Sequence, residues 1–181
     1  MNYIKLLLLF SMKIFSQGTP TVEKSIYSFQ TGFLGIWANN ELRLKNNVAL
    51  RSEIGLDAGI FNGNYQSNSG YIFIPVVRLE PRWYYNLNSR NEKGKKIKNN
   101  CANFFTINFS YRPSLFVISN YEINKVNQIS IIPKWGIRRI IGEHLLFETG
   151  IGLGYSKFFN SENTSNKTIL PDLHFRLGYS F

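Results

Sequence analysis

Two histidines, an acidic residue and a supply of serines are the groups with which this chain could do covalent chemistry. A serine hydrolase needs an imidazole to take the hydroxyl proton and a carboxylate to orient that imidazole, and His144, Glu148 and His174 are the candidates. His174 and Glu148 fall on the polar side of alternating segments, where a closed sheet would hold them inside and away from a lipid substrate. A histidine in an interior hydrogen-bond network is the simpler reading. His144 sits in a turn, as a solvated loop residue would.

The run Gly150-Ile151-Gly152-Leu153-Gly154 suggests a phosphate loop, but it lies within an alternating strand. It lacks the following helix and the Lys-Ser/Thr pair that such chemistry requires. Close packing explains its glycines better. Lys93, Lys95, Lys96 and Lys98 form a basic stretch without the interleaved aromatics of a nucleic-acid surface, and read as a solvated loop or a contact with anionic lipid or cell-wall material. No nucleic-acid partner is expected. With Cys101 the only cysteine and two histidines in all, neither an internal disulfide nor a Cys/His metal cluster can form. No catalytic residue, metal or cofactor is therefore assigned, and an enzyme is not expected.

The elements that carry these residues repeat with period two, the signature of strands. Val48 to Ile60 places Val48, Leu50, Ile54 and Leu56 on one face and Arg51, Glu53 and Asp57 on the other. Leu34 to Leu44 sets Leu34, Ile36, Leu42 and Leu44 against Trp37, Glu41 and Arg43, and Lys45-Asn46-Asn47 links the two as a hairpin turn. Phe73 to Tyr85 opposes Val77, Leu79, Trp83 and Tyr85 to Arg78, Glu80 and Arg82. Phe105 to Tyr111, followed by Arg112, continues the pattern. Three more segments follow, carrying Lys134 and Arg138, then Glu148, then Asp172, His174 and Arg176 on their polar faces. Seven strands are legible, and an even number is expected of a single-chain bacterial barrel. The eighth is placed at Ser25 to Gly32, before a turn near Gly32 to Leu34.

Pro75, Pro81, Pro113 and Pro133 lie within these segments. Proline cannot donate to a ladder, so each is read as a bulge or a strand end. Counted from the C-terminus, loops 62–70, 118–126 and 159–167 share one end. Turns 45–47 and 139–143 share the other, together with the long link Leu87 to Asn100, read as a disordered basic loop.

At 181 residues one domain is the natural size. Mean hydropathy is slightly negative, and no stretch approaches the ~20 apolar residues of a spanning helix. Neither fact bears on a barrel, whose strands are apolar only at every second position. Met1 to Gln17 reads as a secretory signal peptide, with Lys5 in the basic n-region, an apolar segment beginning at Leu6, and Phe15-Ser16-Gln17 before polar sequence. The barrel domain is then 18–181.

A soluble, lipocalin-like barrel would turn its apolar face inward around a ligand, whereas a membrane barrel turns it toward lipid. The polar faces carry Arg43, Arg51, Arg78, Arg82, Arg112, Lys134, Arg138 and Arg176 against Glu41, Glu53, Asp57, Glu80, Glu148 and Asp172. Near balance, and arginine in preference to lysine, suit buried carboxylate pairs. Trp83, Tyr85, Trp135, Tyr155, Tyr179 and Phe181 fall near strand ends on the apolar face, as interfacial anchors do. The expected fold is all-β: an antiparallel up-and-down transmembrane barrel of eight strands. Its interior is just wide enough for side chains to fill, so a wide pore is not expected. The partner is membrane lipid, and the chain is expected to be a monomer.

The closing strand, Leu173-His174-Phe175-Arg176-Leu177-Gly178-Tyr179-Ser180-Phe181, resembles the C-terminal signature of outer-membrane barrels, alternating and ending on an aromatic. The resemblance implies recognition of this strand by the barrel-assembly machinery. Phe15-Ser16-Gln17, Gly35-Ile36-Trp37 and Leu50 through Asp57 are similar to small outer-membrane barrel proteins of the Bacteroidetes group. That likeness implies an outer-membrane location and the barrel fold, and carries no catalytic residue. It favours a structural or surface-interaction role. The other readings are a hydrolase acting on outer-membrane lipid and a soluble ligand-binding barrel.

Overall fold

The computed structural model describes residues 19–62, 69–120, 123, 125–159 and 167–181. Residues 1–17, read above as a signal peptide, and most of loops 62–70 and 159–167 lie outside the described residues, as do 121, 122 and 124.

Alternation along the chain becomes one antiparallel sheet. Its strands are β1 (Ser25–Gly32), β2 (Gly35–Lys45), β3 (Val48–Asn62), β4 (Ser69–Trp83), β5 (Asn103–Arg112), β6 (Ile118–Ser119), β7 (Asn127–Ile141), β8 (Leu145–Phe159) and β9 (Lys167–Ser180). β9 pairs with β1, and β3 with β4, so eight strands close into a ring. The ninth, β6, is a two-residue rung on β4 beyond the end of β5. The strand expected at Ser25 to Gly32 is present, turning through Phe33-Leu34 into β2. Gly35 closes that turn at φ 140°, and a Cβ there would meet the Leu56 carbonyl oxygen at 2.0 Å, so no other residue fits.

The prolines behave differently from expectation. β4 and β5 pair Leu79 with Phe109 and next Arg82 with Thr106, so the register passes Pro81 unbroken. The Thr106 hydroxyl donates to the Pro81 carbonyl at 2.9 Å. Pro133 likewise lies between Ile131–Tyr155 and Lys134–Gly152 in one continuous register of β7 and β8. Each proline removes a rung without bulging the strand. Pro113 does end β5, and continuing the register from Val77–Tyr111 sets it opposite Pro75, two residues without donors facing each other.

The link from Tyr84 to Ala102 contains Leu87 to Asn100, expected to be a disordered basic loop. It is folded, with a short helix α1 (Leu87–Glu92) and a single 3-10 turn at Lys98–Asn100. Tyr84, Leu87, Ala102 and Phe104 bury themselves with Val22 and Ala49, and Ile97 packs against them. Asn99 and Asn100 both adopt positive φ, a conformation that asparagine tolerates better than most residues. Held so, the Asn99 amide donates to Ser180 Oγ at 2.6 Å, and the Asn100 amide donates to Glu41 Oε1 at 2.8 Å. Asn100 Oδ1 in turn accepts from the Glu23 backbone N–H. The link therefore caps one end of the ring, which we call the turn end. The other, the loop end, carries the β1–β2 hairpin and the long connections.

Replacing Asn100 by alanine removes one of the two donors to Glu41 Oε1, leaves the Glu23 backbone N–H without its acceptor, and places a residue without a side-chain amide at positive φ. The expected loss is about 1–3 kcal/mol, read as a lower urea midpoint for the folded form. An unchanged midpoint would mean that the link is not docked on the ring.

Candidate functional site

The ring interior is where the charged side chains converge. Glu148 on β8 is fully buried and held by three arginines from three other strands. Arg82 of β4 binds it with both terminal nitrogens at 2.9 Å. Arg138 of β7 reaches it at 2.8 Å and Arg51 of β3 at 3.2 Å. Arg138 also holds Glu41 at 2.7 Å, and the Tyr84 hydroxyl donates to the other Glu41 oxygen. Burial pushes the Tyr84 hydroxyl well above its ordinary pKa, which keeps it a donor.

One layer toward the loop end, Glu53 accepts from Arg78 at 2.7 Å and Arg176 at 2.8 Å, and pairs with Arg51. Glu80 is held by Arg82 through one oxygen, at 2.6 Å. Higher still, Asp57 takes the Trp37 indole N–H at 2.9 Å, Arg78 at 2.6 Å and Arg112 at 2.8 Å. Lys134 meets Asp172 at 3.1 Å.

His174 stands between the two layers, its ring nitrogens 3.6 Å from Glu148 and from Asp172 and without a hydrogen bond. It fits because Gly150 lies beside it: a Cβ on Gly150 would come within 2.5 Å of the ring. Gly136 makes the same room for Phe104, over which the Arg82 guanidinium stacks at 4.3 Å.

Of the fifteen interior residues singled out from the sequence, fourteen are brought into this network. Arg43 alone has no ion pair among the described residues, and its Nε is buried without a partner. Sequence reasoning missed Asn99 and Asn100, which reach the network from the capping link. Their signal was the Asn-Asn dipeptide itself, a turn composition next to a strand start.

Outside the ring, the six aromatics expected to be anchors divide. Trp83, Tyr85, Trp135, Tyr179 and Phe181 lie toward the turn end, where Trp83 stacks on Phe105 at 6.2 Å and the Trp135 indole donates to the Tyr85 hydroxyl at 3.0 Å. Tyr155 pairs with Ile131 and Ile169 toward the loop end. His144 lies exposed in its turn, stacked on Tyr179 with Nδ1 2.8 Å from the Ser180 carbonyl oxygen. Among the described residues no hydrogen bond joins a serine hydroxyl to either imidazole, and no group of His, Cys, Asp and Glu is set to hold a metal ion.

A cavity of about 460 Å³ opens at the loop end, floored by Asp57, Arg78, Arg112, His174 and Arg176 and lipped by Phe33, Leu34 and Leu173. No protein-family model matches the chain, and no curated protein or solved structure matches it.

A buried charge whose partner is removed costs about 3–5 kcal/mol. Glu148→Gln, which leaves three arginines facing one another, is expected to lower stability by that amount, and Glu80→Gln, which releases one arginine, by clearly less. Urea unfolding of the two variants in detergent checks the order. Equal losses would mean that the network is not centred on Glu148.

Proposed function

We propose that the chain is a small outer-membrane β-barrel with a structural or surface-interaction role, its interior filled by paired charges and capped at one end so that it is not a wide pore. The observation that carries this reading is the inversion of the usual protein. Arg51, Arg82, Arg138, Glu41, Glu53, Glu80 and Glu148 are buried, while Phe29, Ile54, Leu79, Phe105, Ile107, Ile131, Leu153 and Leu173 are exposed around the outside. Soluble monomers rarely expose contiguous apolar patches of more than a few hundred Å². A hydrocarbon surround removes the cost of such a face, and ring closure satisfies the backbone there.

The girdle at the turn end supports the same reading, since aromatic rings with polar handles settle at headgroup depth. The capping link and the C-terminal Phe181 would then face the periplasm, and the β1–β2 hairpin and the longer loops the outside. A soluble ligand-carrying barrel would need an apolar interior, and the interior here is ionic. A serine hydrolase would need an imidazole on a serine hydroxyl, and among the described residues neither histidine has that contact.

Boiled and unboiled samples of the outer-membrane fraction, compared by gel electrophoresis, are expected to migrate differently, with the protein confined to that fraction. Recovery of the protein in the soluble fraction, with no shift on boiling, overturns the reading.

A further inference from the structure

The β1–β2 hairpin is short. β1 ends at Gly32, while β9 beside it runs on to Lys167, and their pairing stops at Gly32–Arg176. On the other side β2 begins at Gly35 opposite Asp57, the Ala58 N–H makes one last bond to Leu34, and β3 continues to Asn62 paired only with β4. Among the described residues, Lys167 to Phe175 of β9 and Gly59 to Asn62 of β3 thus border a notch in which no strand lies between them. At the ordinary strand spacing the gap is about 14 Å wide.

The notch opens onto the 460 Å³ cavity, a volume within the range of about 300–1,000 Å³ typical of small-ligand sites. Its two sides differ in chemistry. At the lip Phe33 is 88% exposed and Leu173 66% exposed, with Leu34 and Phe175 beside them. On the floor the side chains of Arg112, Asp57 and Asp172 keep 17%, 13% and 22% of their surface open, and Arg78 and His174 lie just behind. The lining residues carry three arginines, Arg78, Arg112 and Arg176, against Asp57 and Asp172. Beneath it lie the buried charge network around Glu148 and the capping link.

Unpaired strand edges do not persist against hydrocarbon unless they border a polar or water-filled space, and the notch meets that condition only because its floor is ionic. We propose that this notch is a lateral binding site for a single-chain anionic amphiphile of the fatty-acid type, taken from the surrounding leaflet. Its carboxylate shares Arg112 and Arg78 with Asp57, which takes Arg78 at 2.6 Å and Arg112 at 2.8 Å, and its chain leaves between Phe33 and Leu173. The inference rests on the membrane-barrel reading. The cavity volume of about 460 Å³ suits one such chain. Arginine's planar fork suits a carboxylate.

Trp37 lines the cavity, whereas Trp83 and Trp135 lie outside near the turn end, so tryptophan fluorescence separates the inference from the reading beneath it. The full chain is placed in phosphatidylcholine bilayers in two forms, each first checked for heat-modifiable migration. Trp37→Phe keeps the outer tryptophans, and brominated phospholipid is expected to quench them. Absence of that quenching overturns the membrane reading itself. The double variant Trp83→Phe/Trp135→Phe keeps Trp37, and titration with a bromine-labelled fatty acid is expected to quench it saturably, while the matching fatty amine does not. Adding Arg112→Gln weakens the half-point about tenfold, the scale of one charge-assisted bond. Quenching of the outer tryptophans together with unsaturable quenching of Trp37, or equal effects of acid and amine, overturns the inference.

Discussion

Everything inside this ring depends on keeping buried charge paired. Glu148 is fully buried, and three arginines from three strands converge on it. Removing two opposite charges from water costs several kcal/mol per ion, which is recovered only where geometry and hydrogen bonding are nearly complete. The neighbouring choices follow from that demand. Arginine is used where a fork must reach two carboxylates, as Arg138 does between Glu41 and Glu148. Glycine stands opposite the bulkiest interior groups, as Gly150 does beside His174. The Tyr84–Ala102 link supplies donors that the strands lack.

The same demand explains why the cap is not an ornament. Glu41 lies at the turn end of the network with Arg138 on one oxygen, and its other oxygen is satisfied by Tyr84 and Asn100. A solvated loop would leave that carboxylate to water at the mouth of the ring. A docked loop closes the mouth with Leu87, Phe104 and their neighbours, and fixes where the interior ends. The ring is then packed at the turn end, and the cavity described above opens at the other.

Much of this was legible in the sequence, for physical reasons. Alternation is local, so the strands and the phase of every interior charge could be read one segment at a time, including the weak strand at Ser25 to Gly32. The cap could not. Its contacts join Asn99 to Ser180 and Asn100 to Glu41, and only ring closure brings those residues together. The prolines misled because a lost donor was expected to bend the strand, whereas Pro81 and Pro133 sit in continuous strands and cost a rung apiece. Pairing length, too, is non-local. The notch arises because β1 stops eight residues after it starts while β9 runs for fourteen, and nothing in either strand alone marks the mismatch.

The central claim is the phase of the alternation: apolar residues toward lipid, charged residues toward a closed interior. A nitroxide scan of β5 tests it directly, with single cysteines introduced at each position from Asn103 to Arg112 in a Cys101→Ser background and the protein held in bilayers. Accessibility to oxygen, which concentrates in hydrocarbon, should peak at Phe105, Ile107, Phe109 and Tyr111 and fall at Thr106, Asn108 and Ser110. The opposite phase, or accessibility to a water-soluble relaxation agent along the whole apolar row, would contradict the account.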